Sequence, residues 1–171
     1  MNKSTDYQWY NEKGIIVDVF ANPYEPITNP NVVSDDFFRD KDGNRCRYGI
    51  RWIYKDKLIA FPNIDGWKCS PNLSMDKVII NHGDYVAVHD ADGSLLQKLP
   101  YPPEPISNLK NEFGGYEYKR EYMKCYWDKK KNGEWCIAIE IWWRSWRFCT
   151  ETREFNPDTL EFGEVLTTSA D

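Results

Sequence analysis

The stretch Glu134-Trp135-Cys136-Ile137-Ala138-Ile139-Glu140-Ile141-Trp142-Trp143 decides the fold. Its three Ile residues and the Trp residues that flank them at 135 and 143 recur at every second position, which is the side-chain period of a β-strand and not of a helix. Trp135, Ile137, Ile139, Ile141 and Trp143 therefore share one face, expected to meet the core. Cys136, Ala138, Glu140, Trp142 and Arg144 take the other. Upstream, a Lys-rich segment containing Asn132-Gly133 supplies turn chemistry, and Tyr116–Trp127 supplies a partner strand. A turn centred near residue 130 opposes Cys125 to Cys136 and Glu121 to Glu140.

The same grammar extends outward in both directions. Gly14–Phe20 reads as a strand, followed by a loop from Asn22 to Asn31 punctuated by Pro23, Pro26 and Pro30. Ser34 can cap a short turn through Asp35, Asp36, Phe37 and Phe38. Asp42-Gly43-Asn44 leads into Arg47–Tyr54, and Lys55-Asp56 turns the chain into Lys57–Phe61. Lys77–Asn81 and Tyr85–His89 flank His82-Gly83, and Asp90-Ala91-Asp92-Gly93 leads to Leu95–Leu99. Residues 100–105, rich in Pro, form a stiff connector, since Pro gives no ladder donor. Ser107–Phe113, closed by Gly114-Gly115, reads as a short helix. Trp146–Phe155 and Phe162–Leu166 finish the sheet. The expected fold is mainly β: one domain over residues 1–171, an antiparallel meander curling into a sandwich or an open barrel, with one or two short helices.

At 171 residues the chain can bury a core without staples. The five cysteines are odd in number, widely spaced and form no Cys-x-x-Cys pair, which argues against a disulfide framework or a zinc ribbon and fits a reducing cytoplasm. The start of the chain carries neither a basic n-region nor an apolar run of signal-peptide length, and no run approaches a membrane span. The formal charge of −5 is uneven: −3 over residues 1–115, +3 over 116–149 and −5 over 150–171. That distribution argues against duplex nucleic acid, whose phosphates demand basic surface, and suits a basic protein partner.

Two Asp-x-Asp-Gly segments, at Asp40 and Asp90, cluster carboxylates as calcium loops do. Loop position twelve falls on Arg51 or Tyr101, and neither is a ligand, so both read as hairpin turns. The only histidines, His82 and His89, sit at two ends of one strand pair, a spacing that implies no shared metal. The strand–turn–strand rhythm at Val88–Leu95 and Glu154–Glu161 is likewise hairpin chemistry. Nucleophile-elbow, phosphate-loop and dinucleotide signatures do not occur.

The eight Trp and eleven Tyr exceed what a core of this size uses, and such side chains favour binding surfaces. In size, acidity, aromatic richness and lack of a catalytic signature, the chain resembles the small standalone immunity proteins that bacteria use against contact-delivered toxins. The expectation is a non-enzymatic protein-binding module with no catalytic residue, no metal and no cofactor. Its partner would be a basic, toxin-like protein, with no nucleic acid or membrane involved. Asp35, Asp36, Asp90, Asp92, Trp142, Arg144, Trp146 and Arg147 are the candidate contacts. The alternative is a small-ligand barrel or small enzyme with an aromatic-lined pocket and a Glu121/Glu140 pair.

Overall fold

The computed structural model describes residues 5–18, 35–64, 69–82, 85–99, 102, 119–144 and 148–170. They form three four-stranded antiparallel sheets. The first holds β1 (Thr5–Asn11), β2 (Ile16–Asp18), β3 (Tyr48–Tyr54) and β4 (Lys57–Phe61) in the order β2-β1-β3-β4. The second is a meander of β5 (Cys69–Pro71), β6 (Lys77–Asn81), β7 (Val86–Asp90) and β8 (Leu95–Leu99). The third is a longer meander of β9 (Lys119–Lys129), β10 (Trp135–Arg144), β11 (Phe148–Asn156) and β12 (Glu161–Ala170). One short helix, α1 (Asp35–Phe38), sets Phe37 against Trp9 and Tyr48.

The sheets stack face to face with the second in the middle. On β6 the neighbours Val78 and Ile79 are both fully buried, although their side chains leave opposite faces. Val78 and Ile80 pack with Tyr7, Ile50 and Trp52 of the first sheet. Ile79, Val86 and Val88 pack instead with Cys125, Trp127, Ile137, Ile139, Ile141 and Trp143 of the third. Covering on both sides explains why Val78-Ile79-Ile80 and Val86-Ala87-Val88 are continuous apolar runs. An indole ties each outer sheet to the middle one. Trp52 Nε1 donates to the Ala91 carbonyl at 2.7 Å, and Trp127 Nε1 donates to the Pro71 carbonyl at 2.7 Å.

The mainly antiparallel expectation holds in its sandwich form: the sheets are layered and none closes into a barrel. Trp135, Ile137, Ile139, Ile141 and Trp143 all join the core cluster as the alternation requires, with Trp135 half-buried at its margin. Two strands were not expected, β1 and β5. The predicted strand Gly14–Phe20 is described only as β2, and the predicted helix Ser107–Phe113 and all of the connector 100–105 except Pro102 lie outside the described residues.

The β9–β10 register corrects the sequence expectation. Lys130 N–H donates to the Glu134 carbonyl and Gly133 N–H to the Lys130 carbonyl, so Lys131-Asn132-Gly133 is a three-residue turn. Gly133 occupies the left-handed region at φ 86°, which a side chain resists. The turn therefore lies further along the chain than residue 130. Cys125 is opposed to Ile139 and Cys136 to Asp128, so the two cysteines take opposite faces. Glu140 is opposed to Lys124, and Glu121 to Trp142.

Gly93 closes an equivalent turn at φ 87°, but its surroundings differ. A Cβ on Gly93 would lie 2.8 Å from Ile59 Cγ2, whereas one on Gly133 would meet nothing within 4 Å. Gly133→Ala should cost about 1 kcal/mol from backbone strain alone. Gly93→Ala should cost clearly more, because it also pushes the first and second sheets apart. Urea denaturation of both variants checks this, and equal losses would contradict the close approach.

Candidate functional site

The outer face of the third sheet, away from the stack, carries the densest set of functional side chains among the described residues. Alternation directs Lys124, Tyr126, Glu140 and Trp142 to that face, with Thr150 and Thr152 beside them on β11. Trp142 is half-buried, and its Nε1 donates to Glu140 Oε1 at 2.9 Å. Lys124 Nζ approaches both Glu140 oxygens at 3.4 Å from the facing strand. Burial pushes the Tyr126 phenol up, and its hydrogen bond with Thr152 opposes that shift. The Glu140 carboxylate is thus oriented by an indole and an ammonium, with rigid aromatic rings on both sides. An arrangement of this kind suits recognition, since little side-chain freedom is left to lose on binding.

The expected contact residues divide between layers. Trp142 and Arg144 share the outer face of the third sheet, Arg144 exposed at its end. Trp146 and Arg147 lie outside the described residues. Asp90 and Asp92 belong to the β7–β8 turn, where the Ala91 carbonyl receives Trp52, so they sit beside the first sheet and form no single patch with Trp142. Asp35 and Asp36 open α1, and their side chains lie outside the described set. The register also removes the facing Glu121/Glu140 pair, because Lys124 takes the position expected for Glu121. Lys124 and Tyr126 are the members of this face that the sequence alone did not reveal. Their parity depends on the turn, and a shift of one residue moves a strand's whole set of side chains to the other face.

Both Asp-x-Asp-Gly segments use their carboxylates within the turn. Asp40 Oδ1 accepts from the N–H groups of Asp42 at 2.9 Å and Asn44 at 2.8 Å, and Oδ2 from the Asn44 side chain at 3.1 Å. Asp92 Oδ1 accepts from Ser94 N–H at 2.8 Å. These bonds, to Asn44 and to Ser94, hold both carboxyls below the usual range. Among the described residues no group of three His, Cys, Asp or Glu side chains could hold a metal ion.

The side chains suited to nucleophilic or acid–base work are largely part of the packing. All five cysteines are buried thiols. Burial pushes Cys69 and Cys125 well above the ordinary thiol value, and Cys136 up to about 11, where Glu154 adds to the effect of burial. His89 is 6% exposed and lies edge-on to Phe61, with ring centroids 4.8 Å apart. Its Nδ1 bonds the Gly93 carbonyl at 3.0 Å, which places the hydrogen on Nδ1 and leaves the buried Nε2 without a hydrogen-bond partner. His82 stacks on Tyr85 at 4.8 Å, 6.2 Å from His89, and Lys98 caps the Tyr85 ring at 4.3 Å.

Burial holds both imidazoles below the ordinary value of 6.5, and for His82 the neighbouring His89 and Lys98 add to it. The unfolded chain then binds more protons than the native one just below pH 6.5, so stability falls as the pH drops through that value. Urea midpoints should decline from pH 7.5 to 5.5, and His89→Gln should flatten the decline. A midpoint indifferent to pH in this window would contradict the packing of the pair.

Compared with protein-family models, curated proteins and solved structures, the chain matches none.

Proposed function

We propose that this chain is a non-enzymatic, cytosolic protein-binding module, an immunity-type protein that masks a basic toxin. The observation that carries this reading is the outer face of the third sheet, where Trp142 and Tyr126 flank a Glu140 carboxylate held by two neighbours. Rigid aromatics beside an oriented charge are the side chains that dominate interface energetics. Two further features support it: the thiols and the His89 imidazole are buried in the packing, and the net charge of −5 favours a basic partner through steering.

The test is recovery of the tagged chain from its own organism at low salt, read by native mass spectrometry. A basic polypeptide at equal stoichiometry is expected, and its expression alone should arrest growth unless this chain is present. Trp142→Ala should weaken that complex by roughly tenfold or more while leaving the urea midpoint nearly unchanged. Asp92→Lys should slow association at low salt and leave dissociation alone, and an unchanged on-rate would remove that turn from the contact surface. A lone chain carrying a small-molecule mass would overturn the reading.

A further inference from the structure

The chain between α1 and β3 forms a hairpin that turns at Asp40–Asn44. Asp40 N–H donates to the Asn44 carbonyl at 2.8 Å, and Gly43 N–H donates to the Asp40 carbonyl at 3.0 Å. The same two bonds close the β7–β8 turn at Asp90 and the β9–β10 turn at Lys130. Just outside each turn stands one facing pair of residues. His89 faces Leu95 on β7–β8, and Lys129 faces Trp135 on β9–β10, its ammonium 4.7 Å from the ring centroid. In the third hairpin the pair is Arg39 and Arg45.

This pairing brings like charges together in the closer of the two antiparallel arrangements. Cys46 N–H donates to the Phe38 carbonyl on the far side of the pair. Arg39 and Arg45 are therefore the non-hydrogen-bonded pair, with Cα atoms about 4.5 Å apart. Facing residues point to one side of a hairpin, and like charges placed so are destabilising. Cys46 is buried, so Arg39, Arg45 and, two residues on, Arg47 leave the opposite face, where all three are exposed.

The local charges do not neutralise the pair. Arg39 Nη1 donates to the Gly43 carbonyl at 2.9 Å, which fixes its guanidinium and leaves the other nitrogens open. Arg45 and Arg47 have no side-chain partner among the described residues. Lys13 Nζ, 2.5 Å from the Arg39 carbonyl, adds a further positive charge. The Asp40 carboxylate is spent on Asp42 and Asn44 within the turn. A local rule broken in one of three equivalent turns, with no compensating contact, marks a functional position rather than a structural one.

We infer that Arg39 and Arg45 form a binding site for a phosphate monoester, with Arg47 at its margin. A dianion between the guanidiniums relieves their repulsion, and its three terminal oxygens accept from both planar forks. A phosphodiester carries one charge and offsets less of that repulsion. The site therefore suits a phosphorylated side chain or a small phosphorylated compound better than a nucleic-acid backbone. The inference is independent of the protein-binding reading, since it concerns another part of the fold and a ligand of opposite charge.

The probe is methyl phosphate at pH 7.5, above the second phosphate pKa of about 6. Titrated into the whole protein, it should give saturable NMR shifts at the Arg39 and Arg45 Nε–Hε signals and at the Gly43 and Asn44 amides. Methyl sulfate, of the same shape with one charge, should bind about tenfold more weakly. Arg45→Gln should weaken methyl phosphate binding about tenfold, whereas Lys57→Gln on exposed β4 should not change it. Without ligand, Arg45→Gln should unfold at a urea concentration no lower than the parent, because the like-charge pair is gone. N-acetyl-phosphoserine amide identifies the source: binding tighter than methyl phosphate assigns the site to a phosphorylated polypeptide, and binding no tighter assigns it to a small compound. Either result keeps the site. Equal affinity for methyl sulfate, shifts that never saturate or fall elsewhere, or full affinity in Arg45→Gln overturns it.

Discussion

Trp52→Ala should remove about 3–5 kcal/mol of stability, the largest loss expected of any single truncation in the stack. Trp52 is completely buried, stacked on Tyr7 at 5.6 Å and on Phe61 at 5.5 Å with only 10° between the latter planes. Its removal opens a cavity where the first and second sheets meet and leaves the Ala91 carbonyl without the indole donor. Trp52→Phe separates the two effects, since it keeps most of the ring volume and loses the bond. About 1–3 kcal/mol is expected for that variant. Urea denaturation followed by far-UV circular dichroism measures both, and hydrogen exchange should show β1 and β3 losing protection before β10. A loss below about 1 kcal/mol for Trp52→Ala would mean that the first sheet does not depend on this contact.

The second large effect concerns two charges inside the stack. Glu151 and Arg153 stand opposite Ile141 and Ile139, in phase with the core face of the third sheet, and are 0% and 4% exposed. Arg153 Nε donates to Glu151 Oε1. Breaking a buried ion pair by removing one member is strongly destabilising, so Arg153→Met should cost about 3–5 kcal/mol. The double variant Glu151→Leu/Arg153→Met should be much less damaging than Arg153→Met alone, because an apolar pair avoids the desolvation of both ions. A double-mutant cycle at pH 7 decides the matter. Single variants within about 1 kcal/mol of the parent would show that water reaches the pair.

The contrast between β10 and β11 shows how far local sequence carries. Trp135, Ile137, Ile139, Ile141 and Trp143, spaced two apart, assign the core face of β10 from side-chain period alone, and the packing of that strand follows it. On β11, Glu151, Thr152, Arg153 and Glu154 are polar in both phases, so periodicity says nothing about which pair turns inward. Only pairing with Ile139 and Ile141 settles it. β1 lies between these cases: Tyr7 and Trp9 do alternate, but the polar residues around them hide a strand that becomes clear only against β3.

The sequence by itself determined the antiparallel β class, the core strip of β10, the unbroken apolar runs of β6 and β7, and turns at Gly43, Gly93 and Gly133. These follow from backbone geometry within a few residues, where side-chain period and the left-handed region leave few choices. The tertiary structure alone decided that Lys124 rather than Glu121 faces Glu140, that three sheets stack in layers, and that Asp92 and Trp142 sit on different layers. Those outcomes rest on the position of one turn and on contacts between residues such as Trp52 and Ala91, far apart in the chain. Their free energies arise only when the sheets meet, and no local pattern encodes them.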